Sequence, residues 1–245
     1  MSEKHIVTVA DAFEPKYRSL LNAQAKLLAN AYSSGGMSAM MSVAKKFSAK
    51  LQDLMDKNHL ISVKQGVSTV VVRNRKAKKS VTVEDSEDPE QTAEIAANFL
   101  KNNKGRAKDV GNTTVDLARQ AVAAGVEAGL PPKKIANLIQ DSVGGAVGDY
   151  RARMIARTET AAAYNYANLE QASSLEDSTG PLNKIWVAAS DERVRDAHAE
   201  ADGQSVPLDE DFLVGGEYMS HPGDPSADAS EVINCRCTLV YEPQD

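Results

Sequence analysis

Apolar side chains recur every three or four positions through most of the first 175 residues, and this spacing is the strongest constraint on the fold. Residues 17–32, YRSLLNAQAKLLANAY, place six apolar or aromatic side chains on one stripe of a helix. The pattern returns in residues 37–55, after an SSGG segment that we expect to break the helix, and again in residues 91–175. The chain is alanine-rich and has only one Trp, seven Tyr and four Phe, which also favours helix.

Residues 60–84 have a different pattern. The segments LISVKQGVSTVVV and SVTVE are rich in Val and Thr and predict two strands of a hairpin. The connecting segment RNRKAKK carries five positive charges, at Arg73, Arg75, Lys76, Lys78 and Lys79. These side chains fit contacts with DNA phosphates, and the alternative is a solvated loop whose charges aid solubility; the run lacks aromatic residues, so base stacking is not expected. The acidic segment 84–91 is predicted to be an exposed linker.

Charge is distributed unevenly along the chain. Residues 1–150 carry 21 Lys and Arg against 16 Asp and Glu, whereas residues 151–245 carry 7 against 18. The net charges of these parts are therefore +5 and −11. This split suggests two regions with different partners, although charge alone concerns solubility and association rather than fold.

The last 100 residues predict a smaller mixed region. A long helix is expected over residues 148–174, with Glu159 turned away from the arginine face and paired with another segment. A strand follows around Trp186, then a helix capped by Asp191 and ended by Gly203, a long loop over residues 204–233, and a final strand, CRCTLVYEP.

The sequence thus predicts an α+β protein. A mainly helical N-terminal region with a small basic β-hairpin occupies residues 1–130, and a small mixed α/β domain occupies residues 131–245. The chain has no run of 18 apolar residues and its N-terminus has no signal-like apolar segment, so we expect a cytosolic origin and no membrane span.

The two cysteines of the chain, Cys235 and Cys237, are separated by one arginine. With His198 and His221 they have the atom types of a tetrahedral zinc site, but zinc sites usually space paired cysteines by two to four residues. A disulfide between them would close a small strained ring. The remaining interpretation is structural: two small buried side chains, with Arg236 on the opposite face and held by acidic partners.

Catalytic signals are weak. No phosphate-binding loop, dinucleotide-binding glycine motif or HExxH motif occurs, and the acidic surroundings disfavour a reactive thiolate at Cys235 or Cys237. We therefore predict that the chain is not an enzyme, with no catalytic residues and with zinc as the one candidate cofactor. A helix hairpin over residues 116–141 resembles a helix-turn-helix, but its second helix offers few base-reading side chains.

Three segments, taken in order, resemble a known family. They are IARTETAAAYNYANLEQA, KIWVAASDERVRDAHAEADGQSVPLDEDFLVGGE and HPGDPSADASEVINCRCTLV. Together they resemble the C-terminal domain of the Mu F-like minor head proteins, the phage head morphogenesis proteins, over about residues 130–241. The signature positions that match are Arg157, Thr158, Glu159, Trp186, Asp191, Arg193, Arg195, His198, Asp202, Gly203, Pro222, Gly223, Asp224, Pro225, Asn234, Cys235, Arg236 and Cys237.

The resemblance implies a structural protein of the virion of a tailed phage or prophage, made in the bacterial cytoplasm and placed inside the head near the portal. It implies a role in head assembly and in DNA packaging or ejection. The implied partners are the portal protein, the major capsid or scaffold protein and packaged double-stranded DNA, with no membrane. Relatives often carry an aromatic residue where His221 stands, which argues against the four-ligand zinc site and leaves open a site of His198, Cys235 and Cys237 with a carboxylate. The first interpretation of the NCRC segment is a structural element that closes the C-terminal domain, and metal binding is the second. The alternative function is a DNA-binding regulatory protein without a virion role.

Overall fold

The computed structural model describes residues 2–74, 79–83 and 88–244, and this part of the chain is mostly helical. Its helices are α1 Ser2–Val67, α2 Pro89–Asn102, α3 Arg106–Glu127, α4 Pro132–Val143, α5 Gly145–Thr179, α6 Asp196–Glu200 and α7 Ala229–Val232. Its strands are β1 Val70–Asn74, β2 Lys79–Val83, β3 Leu182–Val187, β4 Ser205–Pro207, β5 Phe212–Val214, β6 Glu217–Met219 and β7 Thr238–Pro243. The predicted α+β fold class is confirmed. None of the described helices is both long and apolar enough to span a bilayer.

Helix α1 is interrupted at the predicted SSGG segment. Gly35 and Gly36 leave the helical conformation, and Gly36 has a φ of 65°. A side chain is disfavoured at such a left-handed position, which explains the glycine there. The break is a kink rather than an end, because helix continues on both sides of it.

The hairpin forms, but its first strand is shorter than predicted. Strand β1 pairs antiparallel with β2, with Val72 opposite Val81. Residues 60–67 were expected to belong to the first strand and are instead the last turns of α1. Val63 and Val67, four positions apart, are buried against Phe99 of α2. Packing on one helix face therefore outweighs the strand preference of valine.

The chain divides into two compact units, each assembled from separate stretches of sequence. The first unit comprises Met1–Ala10, Asn58–Asn103 and Arg157–Asp245, and the second comprises Asp11–Lys57 and Lys104–Ala156. The predicted domain boundary between residues 130 and 131 stays a prediction.

The first unit contains a five-stranded sheet in the order β2-β1-β7-β3-β4. Strand β1 runs parallel to β7, and the other neighbours are antiparallel. Apolar side chains of the sheet pack with Leu169 and Ala172 of α5 and with the β5–β6 hairpin. Trp186, fully buried on β3, lies in this core and packs edge-on against Phe212 of β5.

The second unit is helical. Leu28 and Met40 of α1 are buried with Val122 of α3 and Ile139 of α4 in one apolar cluster. Arg153 of α5 and Arg18 of α1 both contact the carboxylate of Glu14, so charged groups fasten these helices beside the apolar contacts.

Residues 204–233 contain more regular secondary structure than the sequence predicted, whereas the helix before them is shorter. The helix expected from Asp191 to Gly203 is limited to α6, because the Asp191 carboxylate accepts from the backbone of Arg193 in a turn rather than capping a helix. The segment expected to be a long loop contains β4, β5, β6 and α7. These short elements have no periodic apolar pattern, and side-chain hydrogen bonds help to hold them. For example, Gln204 Oε1 accepts from the Leu213 backbone N–H at 3.0 Å.

Candidate functional site

Three ligand-type side chains converge in the core of the first unit. The Nδ1 atom of His198, on α6, lies 3.4 Å from Cys237 Sγ and 3.7 Å from Cys235 Sγ. All three ligand atoms lie within 4.8 Å of one another, and all three residues are buried. The structure therefore brings together the metal set that the sequence predicted, across nearly 40 positions of chain.

The cysteines reach this position in a different way from that expected. Both precede β7, so strand alternation does not place them on one face. Instead Asn234 has a φ of 61°, and its backbone N–H donates to Thr158 Oγ1 of α5 at 2.9 Å. The buried amide of Asn165, also on α5, donates to the carbonyl of Cys237 at 3.0 Å. The long helix thus holds the backbone of the thiol segment.

The surroundings shift the pKa values of the two thiols in opposite directions. A hydrogen bond from Cys235, opposed by burial and helped by His198, lowers the pKa of the Cys237 thiol to about 5. The same hydrogen bond, together with burial, raises the pKa of Cys235 well above its usual value. Of the two thiols, Cys237 therefore loses its proton more readily.

A carboxylate that the sequence had not identified completes the surroundings of His198. Glu231 of α7 contacts His198 Nε2 through Oε2 at 2.9 Å, on the opposite side of the ring from the thiols. Trp186 lies edge-on to the same imidazole, with ring centroids 5.5 Å apart. The sequence had predicted a carboxylate near the cysteines without indicating which. The only local signal for Glu231 is its place four residues before Cys235.

Arg236 binds the carboxylate of Asp191, an acidic partner of the kind that the sequence predicted. Its Nη1 and Nη2 atoms each lie 2.5 Å from an oxygen of Asp191. Arg193 also contacts this carboxylate at 2.9 Å. Hydrogen bonds from Arg236, and then from Arg193, hold the pKa of Asp191 well below its usual range.

Other signature residues fasten the segments around the site. The carboxylate of Asp202 accepts from the Ala188 backbone at 2.8 Å, and Gly203, with a φ of 79°, donates to the Trp186 carbonyl. Arg195 donates to the carbonyl of Ile233, next to Asn234. These contacts tie the end of β3 and both ends of α6 to their neighbours.

Two further signature residues lie on α5. Glu159 pairs with the buried ring of His59 at 2.9 Å, which confirms that it contacts another segment. Arg157 is half-buried on the same helix.

His221 lies outside the cluster formed by His198, Cys235 and Cys237. Its Nδ1 donates to the Pro222 carbonyl at 3.1 Å, and its ring lies against Tyr166. The neighbouring PGDP segment is held by Asp224, whose two carboxylate oxygens accept from the backbone and hydroxyl groups of Ser220 and Ser226. This segment therefore forms a turn that contacts Asn165 of α5 through the Pro222 carbonyl.

The predicted DNA-contacting residues are only partly described. Arg73 is exposed on β1, and Lys79 begins β2. Arg75, Lys76 and Lys78 lie outside the described residues. The assignment of these five side chains to DNA contact stays a prediction.

Comparison with known proteins shows the family. The family described as Phage Mu protein F like protein matches residues 116–240, about half of the chain. The chain belongs to this family. The expected resemblance is confirmed. The matched range contains the cluster of His198, Cys235 and Cys237, called here the thiol–imidazole cluster, and the Arg236–Asp191 pair.

Individual relatives share similar stretches with this Mu F-like chain. Minor head protein GP7 of Bacillus phage SPP1 is 32% identical over 125 residues, which are 49% of this chain and 38% of GP7. A Haemophilus influenzae protein is 29% identical over 133 residues, 54% of this chain and 26% of that protein. The chain therefore spans less than two fifths of each of these relatives. No solved structure matches it significantly.

A third relative corrects one prediction. The NAD(+)–arginine ADP-ribosyltransferase EFV of Enterococcus faecalis is 32% identical over 90 residues, which are 37% of this chain and 18% of that protein. The prediction that the chain is not an enzyme is therefore wrong, since a protein that shares this segment is named as one. That prediction relied on the absence of a few catalytic motifs, which tests only the chemistries that those motifs serve.

Proposed function

We propose that this chain is a minor head protein of a tailed phage or prophage. The observation that carries the proposal is the family match over residues 116–240, together with 32% identity to minor head protein GP7. Signature residues in the matched stretch contact one another and their neighbours: Asp191 binds Arg236, Asp202 accepts from the Ala188 backbone, and His198 of α6 contacts Glu231 of α7.

In this proposal the protein lies inside the head near the portal and acts in head assembly and in DNA packaging or ejection. The uneven charge distribution supports different binding partners for the basic and acidic regions. The basic hairpin, with Arg73 exposed on β1, faces packaged DNA. The region after residue 150, with a net charge of −11, docks on the portal, major capsid or scaffold protein, where a basic partner surface favours association.

The test is quantitative mass spectrometry of purified particles and procapsids from the source phage or induced prophage. Portal protein serves as the internal standard, and particles from a strain with a stop codon early in this reading frame serve as the control. We expect a small, fixed number of copies per portal ring. Presence in procapsids alone also supports a head-assembly role.

Absence of the chain from both procapsids and mature particles would overturn the proposal. The DNA-binding regulatory alternative would then be tested by footprinting the purified protein on the phage genome. A single protected operator sequence is the result that this alternative requires.

A further inference from the structure

The thiol–imidazole cluster has the dimensions of a metal site. With zinc–sulfur bonds of about 2.3 Å and zinc–nitrogen bonds of about 2.0–2.1 Å, tetrahedral geometry separates sulfur from nitrogen by roughly 3.5 Å. The observed separations from His198 Nδ1 are 3.4 Å to Cys237 Sγ and 3.7 Å to Cys235 Sγ. Both separations are within a few tenths of an ångström of the tetrahedral value, so the imidazole nitrogen is placed to share one ion with either sulfur atom.

We propose that His198 Nδ1, Cys235 Sγ and Cys237 Sγ bind one zinc ion in the C-terminal region. This inference does not depend on the proposed role in the phage head. Two thiolates and one neutral imidazole are ligands of the type that zinc prefers.

The surroundings of His198 provide independent support. A histidine that binds a metal through one ring nitrogen usually gives its other N–H to a carboxylate, which sets the tautomer and orients the ring. Glu231 is in this position, 2.9 Å from Nε2, while Nδ1 faces the two sulfur atoms. The edge-on ring of Trp186 limits rotation of the imidazole from another side.

The ligands are buried in the apolar core, so a bound ion would cross-link elements inside it. Cys235 and Cys237 are 1% and 2% exposed and lie in the same apolar cluster as Phe212 and Met219. The ion would join α6 to the segment before β7 inside this cluster, where water competes little for the ligands. The fourth position is left for water or for a donor from a bound molecule, as in zinc sites with three protein ligands.

The same unit contains a matched control. His59 and Glu159 form a buried imidazole–carboxylate pair at 2.9 Å, the same distance as in the His198–Glu231 pair. The described metal-type cluster does not include His59. Loss of His59 removes a comparable buried imidazole while leaving the three ligands in place.

The experiment measures zinc in the full-length protein, purified without chelator from cells grown with added zinc. We expect about one equivalent per chain by elemental mass spectrometry. Cys235→Ser, Cys237→Ser and His198→Gln should each reduce this severalfold, whereas His59→Gln should retain it. Circular dichroism identifies any variant that fails to fold.

A second measurement does not need variants. The wild-type protein is stripped of metal under reducing conditions and titrated with cobalt(II), which gives an intense near-ultraviolet charge-transfer band when it binds thiolates. Saturation at one equivalent, reversed by zinc, supports the site. Less than roughly a tenth of an equivalent of zinc together with no cobalt band overturns it. A Cys235–Cys237 disulfide in freshly purified protein, with free thiols absent, also overturns it.

Discussion

At the scale of single residues, Arg236 links the Cys235–Cys237 segment to Asp191 in the turn after β3. It is only 8% exposed and binds both oxygens of Asp191. A planar guanidinium can make two parallel bonds to a carboxylate, whereas an ammonium makes contact through a single point. The geometry of this pair, and not its charge alone, therefore stabilises the domain.

We expect Arg236→Lys to lower the free energy of unfolding by about 1.5–3 kcal/mol, since one charge-assisted hydrogen bond is lost in a partly buried place. Chemical denaturation of the purified variant measures this. Arg193→Lys is the matched control: its side chain touches the same carboxylate but is 71% exposed, so its effect should stay within about 0.5 kcal/mol. Equal effects of the two substitutions would contradict the argument.

Residue types and order indicated that His198, Cys235 and Cys237 could act together as metal ligands, which stays a prediction, and that Arg236 has acidic partners, of which Asp191 is one. They did not predict Glu231 or the amide of Asn165, because both act through distances that only the folded chain creates. Nor could they show that His221 turns to its neighbouring carbonyl instead of joining the cysteines.

At the scale of helices and strands, α1 and α5 approach each other closely at Gly66. A Cβ atom at this position would lie 2.4 Å from the Tyr164 carbonyl oxygen and 3.0 Å from Ala167 Cβ. The buried amide of Asn168 also donates to the Gly66 carbonyl, at 3.0 Å. The neighbour is backbone rather than a flexible side chain, so the two helices would have to move apart to accept a methyl group.

Gly66→Ala should therefore lower the free energy of unfolding by about 1–3 kcal/mol, even though alanine is the better helix former. Thermal or urea denaturation provides the measurement. Gly111→Ala, in the interior of α3, is the control, because no described atom lies within 4 Å of its added Cβ. That variant should gain up to about 1 kcal/mol. A gain in stability for both variants would exclude close packing at Gly66.

Long periodic helices and the SSGG break were predictable because their signals are local. The boundary between α1 and β1 was not, since Val63 and Val67 favour strands by type and become helical through contacts with α2. Short strands such as β5 and β6 were not predicted, because they too depend on contacts that the local sequence does not show. Three residues show no periodicity, and their pairing depends on a turn of two glycines, Gly215 and Gly216, with positive φ.

At the scale of the whole molecule, the charge distribution separates a basic part from an acidic one. The five positive charges of residues 73–79 lie in a stretch of sequence that is otherwise rich in valine and threonine. Lysine and arginine that contact phosphates release counterions from DNA, so their contribution to binding weakens as salt increases. Clustered charges on one small element can do this together.

Replacing Arg73, Arg75, Lys76, Lys78 and Lys79 by glutamine should weaken binding to a non-specific DNA duplex. It should also reduce the slope of log K against log salt by up to about 4.5, if all five contact phosphates. Fluorescence anisotropy over a salt series measures both effects. The control replaces Lys45, Lys46, Lys50, Lys57 and Lys64, which are exposed on α1 and change the net charge equally. Only the variant with the five substitutions in residues 73–79 should show a smaller slope of log K against log salt. The same loss in both variants would show that net charge alone binds DNA, and an unchanged slope in the hairpin variant would exclude the hairpin as the contact.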